Sequence, residues 1–220
     1  MRGVGHRGRG GRKALVSTPA TRWEQGDHSH YADRFTRLIA AGEDIDGEAR
    51  LVDVLAPRGA RVLDAGSGMG RVGAALAGRG HDVTCVEKDA ELVAAARTSY
   101  PDLPVVTADL LDLTPELLAR AGRPTSYDVV VAVGNVMVYV AEDTEEQVLR
   151  SLAALLAPGG RVLVGFKTAH GPRNAAAYPE AAFRTDVEAV GLVVEHRFGG
   201  YDLRETDPDY AVFVLGRPPA

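Results

Sequence analysis

Within the stretch VLDAGSGMGRVG, residues 62–73, one carboxylate and three glycines stand at spacings that suit nucleotide chemistry: Asp64, Gly66, Gly68 and Gly70. Two descriptions fit at once. From Gly68, GMGRVG is a literal G-x-G-x-x-G, whose backbone would cradle the pyrophosphate of a dinucleotide. From Asp64, the same stretch is an acid followed by G-x-G-x-G. In both readings the glycines let the chain turn sharply out of a strand and bring bare backbone close to a ligand at the start of the next helix. The first reading places a pyrophosphate on the turn, and the second places a carboxylate beneath it.

Glu87 ends the next apolar run and lies where a carboxylate can accept from ribose hydroxyls, which suits both readings. Three features separate them. Asp64 occupies a position where a dinucleotide fold keeps an apolar residue; a carboxylate there repels phosphate but suits a ligand carrying an ammonium group. Asp109 ends the third apolar run, where it can accept from an adenine amino group. The third feature is the order of the last two strands.

Those side chains need a scaffold, and the chain supplies one. Tyr31, Phe35, Leu38 and Ile39 share one face of an amphipathic helix, and a second helical stretch, about 46–56, is stopped by Pro57 and Gly59. Thereafter RVLDA, DVTCVE, LPVVTAD, YDVVVAV and RVLVGF read as strands separated by helical stretches. Asp89 is the expected N-cap of one of these, and Pro115 suits the first turn of another. Asp143 and Glu146 are spaced as a capping box for a helix running to about Ala157. Pro179 opens a further helix that Gly191 closes. Alternating strand and helix predicts a parallel sheet covered on both faces. The final strands, GLVVEHRF and YAVFVLG, are joined by GGYDLRETDPD, which has no helical period, so they are expected to pair antiparallel.

In this order of elements the chain resembles the class I S-adenosylmethionine-dependent methyltransferases from about Arg61 to Arg217, through VLDAGSGMG, VTCVEKD, TADLLDL, YDVVVAVGN and LLAPGGRVLVGF. The resemblance implies an α/β fold: a Rossmann-like, doubly wound, seven-stranded sheet, mostly parallel with the last strand antiparallel, behind two N-terminal helices. It also implies S-adenosyl-L-methionine as cofactor. Asp64 and the loop of Gly66, Ser67, Gly68 and Gly70 would hold its methionine end, and Glu87 its ribose. Lys88 would pack near the adenine, Asp109 and Leu110 would read the adenine edge, and Gly134 and Asn135 would border the sulfonium methyl.

Methyl transfer from a sulfonium is an in-line displacement, so positioning is the largest contribution an enzyme can make, and a base is needed only if the acceptor must first lose a proton. Candidates at the acceptor end are Tyr31, Asn135, Tyr139 and Lys167, with His170 as the base if one is used. Methyltransferases of exocyclic base amines carry an Asn/Asp-Pro-Pro-aromatic motif after the fourth strand, where this chain has GNVMVYV. That departure, with a net charge of -5 and a pI near 5.7, argues against nucleic acid and for a small-molecule acceptor.

The remaining organisation follows from composition. Residues 1–16, rich in arginine and glycine and free of acids, read as a disordered or mis-assigned tail. Residues 17–60 read as a helical lid carrying Trp23, His28, His30 and Tyr31, and 61–220 as the methyltransferase domain. Aromatic faces suit a cationic cofactor. No metal site is expected, since His28 and His30 lack partner ligands at suitable spacing. The single cysteine, Cys85, fits a small buried residue in a reducing cytoplasm, and no stretch is apolar enough to cross a membrane. Two alternatives stay open: a nicotinamide-dependent oxidoreductase, and a module that binds S-adenosylmethionine without catalysis.

Overall fold

The computed structural model describes residues 18–28 and 31–218. The expected tail, residues 1–16, and His30 lie outside the described residues, as does the side chain of Ile39.

Seven strands form one sheet in the order β3-β2-β1-β4-β5-β7-β6. They are β1 (Arg61–Ala65), β2 (Asp82–Glu87), β3 (Val105–Thr107), β4 (Tyr127–Ala132), β5 (Leu156–Lys167), β6 (Val193–Phe198) and β7 (Tyr210–Gly216). The first five run parallel, while β7 pairs antiparallel with both β5 and β6. The short polar connection before Tyr210 therefore does produce the antiparallel final strand. Val62, Leu63, Val130, Val131, Val162, Leu163, Val164, Val212, Phe213 and Val214 are fully or almost fully shielded from solvent, as strands covered on both faces must be.

Helices α1 (Tyr31–Ala40) and α2 (Gly47–Leu55) precede the sheet. α3 (Arg71–Ala77), α4 (Ala90–Ser99), α5 (Pro115–Arg120), α7 (Glu145–Ala154) and α8 (Glu180–Ala189) then cover it. Two of these begin as their sequences dictate. Asp89 Oδ1 accepts from the backbone of Glu91 at 2.8 Å and Leu92 at 3.2 Å, and Thr114 accepts from Leu117 ahead of Pro115. On one face of the sheet, Phe183 of α8 lies with its ring centroid 4.5 Å from that of Phe213 and 5.1 Å from that of Phe166. Ala49, Leu51 and Val52 of α2 pack with Val72 and Leu76 of α3 on the other.

Three local expectations are corrected. Asp143 and Glu146 form no capping box: Asp143 is left-handed (φ 58) and Thr144 takes the cap position without a side-chain bond to the helix. The Thr144 hydroxyl instead donates to the Ala141 carbonyl at 2.7 Å. The helix ends at Ala154, and the Pro-Gly-Gly that was expected to precede the fifth strand lies inside β5, where the pairing with β4 shifts register. Four residues after Asn135 coil into a further short helix, α6 (Val136–Tyr139).

Candidate functional site

The carboxyl ends of β1, β2 and β4 meet at one edge of the sheet, and the glycine turn bridges the first two. The backbone N–H groups of Gly66 and Ser67 donate to the Val86 carbonyl at 2.9 and 3.1 Å, so the turn crosses toward the end of β2. Gly66, Gly68 and Gly70 all have positive φ, at 74°, 57° and 81°. At Gly66 space is also limiting, because a Cβ there would lie 2.7 Å from a methyl of Val136. Bare backbone is required at this point by conformation and by contact.

Asp64 lies beneath this turn and does not border the cavity described below. It is only 2% exposed, and its Oδ2 accepts from the backbone N–H of Gly73 at 3.0 Å, tying the strand to the first turn of α3. Burial raises its pKa to about 7, against the opposing charge of Arg71 and the Gly73 hydrogen bond. Arg71 itself is held by Glu48 and the Ile45 carbonyl, and its guanidinium lies 4.9 Å from the centroid of the Phe35 ring. Ser67 accepts from the Gly70 N–H at 3.0 Å and closes the turn.

Glu87 stands at the end of β2 with both oxygens committed to backbone. Oε2 accepts from Gly68 at 2.8 Å, while Oε1 accepts from Lys88 at 2.7 Å and Asp89 at 2.8 Å. Burial nonetheless raises its pKa. Each carboxylate oxygen keeps a second lone pair, so the group can still accept from a ligand hydroxyl. Asp109 caps the single 3-10 turn Leu110–Asp112 through Oδ1, which accepts from Leu111 at 2.9 Å, and its Oδ2 lies 2.9 Å from the ammonium of Lys88. Lys88 also meets Glu24 Oε2 at 2.6 Å.

These groups open onto one cavity. Gly66, Gly68, Glu87, Lys88, Asp109 and Leu110 border it on one side, and Gly134, Asn135 and Tyr139 on the other. The N-terminal segment closes it through Trp23, Glu24, His28, Tyr31 and Arg34. The Trp23 and His28 rings stack at 3.6 Å, with Tyr31 and Tyr139 edge-on to Trp23 at 5.2 and 5.3 Å. Trp23 Nε1 donates to Asp89 Oδ2 at 2.7 Å, and the backbone N–H groups of Arg22 and Trp23 donate to the carbonyls of Val140 and Tyr139. Of the 17–60 stretch, Thr21, Trp23, Glu24, His28, Tyr31 and Arg34 border the cavity, whereas α2 is part of the layer that covers the sheet.

Asn135 has a left-handed backbone (φ 78), a conformation that costs a non-glycine residue energy and that clusters at functional sites. Its backbone N–H donates to the Gly165 carbonyl at 3.0 Å, and its Oδ1 accepts from the Lys167 N–H at 2.9 Å. Lys167 therefore contributes its backbone to the site, while its side chain does not border the cavity. His170 is apart from it altogether. Its side chain is 85% exposed and its Nδ1 lies 3.2 Å from Asp209 Oδ1.

Sequence reasoning missed the tether from Trp23 to Asp89, the link from Glu24 through Lys88 to Asp109, and Tyr201. The Tyr201 hydroxyl lies 2.8 Å from that of Tyr210, accepts from the Gly134 N–H at 3.4 Å, and occupies space left open by the missing side chain of Gly165. Partners so distant in sequence leave no periodic signal. The glycine within the fifth apolar run was the one available hint of a close approach there.

The chain is similar to known methyltransferases in sequence and in fold. Residues 63–162 match a family model described as a methyltransferase domain. A TehB-like S-adenosylmethionine-dependent methyltransferase of known structure from Corynebacterium glutamicum is 36% identical, with a TM-score of 0.75 over 86% of this chain and 97% of that one. A ubiquinone biosynthesis O-methyltransferase from Xanthomonas euvesicatoria is 29% identical over 149 residues, 62% of this chain. That alignment spans 60% of the relative's own length. A ribosomal RNA small subunit methyltransferase A from Chlorobium chlorochromatii is 33% identical over 64 residues, 29% of this chain and 24% of that one.

Proposed function

The chain belongs to the class I S-adenosylmethionine-dependent methyltransferase family, and from that premise we propose that it transfers a methyl group from S-adenosylmethionine to a small-molecule acceptor. The observation that carries this reading is the cavity on which the positive-φ turn at Gly66 and Gly68, the carboxylates of Glu87 and Asp109, and the bare backbone of Gly134 all converge. The donor set fits the cofactor. Glu87 has lone pairs for ribose hydroxyls, Asp109 has an oxygen for the adenine amino group, and Lys88 and Leu110 border the adenine. Gly66, Ser67, Gly68 and Gly70 shape the turn against which the methionine end rests.

When bound, the cofactor supplies a methyl group on a positively charged sulfur. The chain's own residues then orient and exclude. Gly134, whose backbone lines the cavity without a side chain, leaves room for the acceptor to approach in line with the methyl. Trp23, Tyr31 and Tyr139 wall the reaction from water and present ring surfaces to a cation. Asp64 acts from beneath the turn: its carboxylate holds the Gly73 N–H and, when ionised, favours a nearby ammonium through space.

The test is transfer of label from methyl-labelled S-adenosylmethionine to a small-molecule extract and, in parallel, to RNA. The reading requires labelled small molecules. Label that enters only RNA would overturn the acceptor class, and no turnover with intact cofactor binding would favour the non-catalytic module.

A further inference from the structure

The distribution of donors and acceptors inside the cavity is uneven. Its four carboxylates, Glu24, Glu87, Asp89 and Asp109, lie at the end proposed for the adenosine, and each is already bound: Glu24 and Asp109 to Lys88, Glu87 to backbone N–H groups, Asp89 to Trp23 and the start of α4. The other end carries donors. Asn135 has its Oδ1 fixed by the Lys167 N–H, which orients the amide so that Nδ2 is the free end, and Nδ2 has no acceptor among the described residues. Arg34 stands at the rim with no carboxylate partner among the described residues, its guanidinium 5.9 Å from the centroid of the Phe35 ring. Behind Gly134, outside the cavity lining, the Tyr201 hydroxyl accepts from the Gly134 N–H at 3.4 Å and fixes that backbone. His28 Nε2 is buried against Gly26 within its own loop.

Resting on the methyltransferase reading, we propose that the acceptor is an aromatic hydroxyl taken as its oxyanion, held by Asn135 Nδ2 and Arg34 against the Tyr31 and Tyr139 rings. An aliphatic amine arrives at neutral pH as an ammonium ion, and its site must offer an acceptor for the proton and no competing cation. Among the described residues, the acceptor end of this cavity has no carboxylate to take that proton, and the Arg34 guanidinium stands at its rim. An oxyanion fits it, because charge-assisted hydrogen bonds from an amide and a guanidinium stabilise the deprotonated hydroxyl. The flat aromatic walls suit a ring.

The proton goes to solvent when the hydroxyl ionises, before transfer. A lone pair on the oxyanion then forms the O–C bond to the methyl carbon, the C–S bond breaks, and its electron pair stays on sulfur. One negative and one positive charge are consumed, giving a neutral methyl ether and a neutral thioether. No base is needed at the reacting atom, consistent with the exposed position of His170.

The experiment uses the full chain saturated with S-adenosylhomocysteine and two probes of similar shape: 4-nitrophenol, which titrates near neutral pH and changes colour on ionisation, and 4-nitrobenzylamine. Saturable binding of S-adenosylhomocysteine is measured first; its absence removes the underlying methyltransferase reading and the proposal with it. With that complex formed, the protein should increase the phenolate absorbance below the probe's free pKa and should bind the amine more weakly. Arg34→Met and Asn135→Asp should each weaken phenolate binding roughly tenfold or more when each variant is measured at its own saturating S-adenosylhomocysteine concentration, with Tm near wild type. Asn135→Asp keeps an oxygen for the Lys167 N–H and replaces the Nδ2 donor with a carboxylate oxygen, so a loss there reports the exchange of a donor for negative charge beside the oxyanion. Preference for the amine, no increase in phenolate, or an increase that survives both substitutions would each overturn the proposal.

Discussion

Trp23 Nε1 donates a 2.7 Å hydrogen bond to Asp89 Oδ2, joining residues 66 positions apart across the mouth of the cavity. The other oxygen of the same carboxylate caps α4, so one side chain both starts a helix and fastens the N-terminal segment beside Glu87 and Lys88.

Trp23 is the sole tryptophan of the chain, and its indole borders the cavity. Emission should therefore shift in both wavelength and intensity when S-adenosylhomocysteine is titrated in. Trp23→Phe, which keeps an aromatic ring but loses the donor, should weaken that ligand by roughly tenfold or more, the worth of one hydrogen bond to a charged group. Fluorescence titration of the wild type and calorimetry of the variant check both statements; a flat emission trace would contradict them.

Asp64 predicts a pH dependence. Its pKa is raised by burial from 3.8 to about 7. The folded protein thus binds this proton more tightly than the unfolded chain does, so between about pH 4 and pH 7 the Asp64 contribution to stability falls as pH rises. Asp64→Asn keeps an oxygen for the Gly73 N–H and removes the titration. Its stability should change less across that range than the wild type's and exceed it at pH 8 without ligand. Urea unfolding at a series of pH values measures this; parallel curves for the two proteins would refute the assignment.

At Gly66, φ of 74° and a Cβ position 2.7 Å from Val136 act together. Gly66→Ala should lower stability by about 1–3 kcal/mol. Adding Val136→Ala should recover the part due to contact and leave the part due to backbone conformation. Thermal unfolding of the two single variants and the double variant separates the two terms.

His170→Ala should leave kcat and KM unchanged, because the side chain is exposed, pairs with Asp209 and does not border the cavity. A large fall in kcat in steady-state methyl transfer would bring His170 back into the chemistry.

Much of this architecture was legible in the sequence because its causes are local. Buried parallel strands need uninterrupted apolar runs, and the acids at their carboxyl ends, Asp64, Glu87 and Asp109, stand out against those runs. Asp89 and Pro115 announced two helices for reasons confined to one turn. Asp143 and Glu146 had the spacing of a capping box but not the geometry, since spacing carries no information about the left-handed backbone at Asp143. α6 has four residues, too few to display a helical period. Lys167 was marked for its side chain and serves through its N–H, and Asp64 points at Gly73 and not into the cavity. Pairs such as Trp23 with Asp89 and Tyr201 with Gly134 exist only once the chain has folded, and their residue types are compatible with many other partners.

The account rests on the glycine turn and Glu87 forming a methyl-donor site. Calorimetric titration with S-adenosylhomocysteine and, separately, with NADH tests that most directly. The account predicts saturable one-to-one binding of S-adenosylhomocysteine and no heat from NADH beyond dilution; binding of NADH alone would mean that GMGRVG holds a pyrophosphate, and would contradict it.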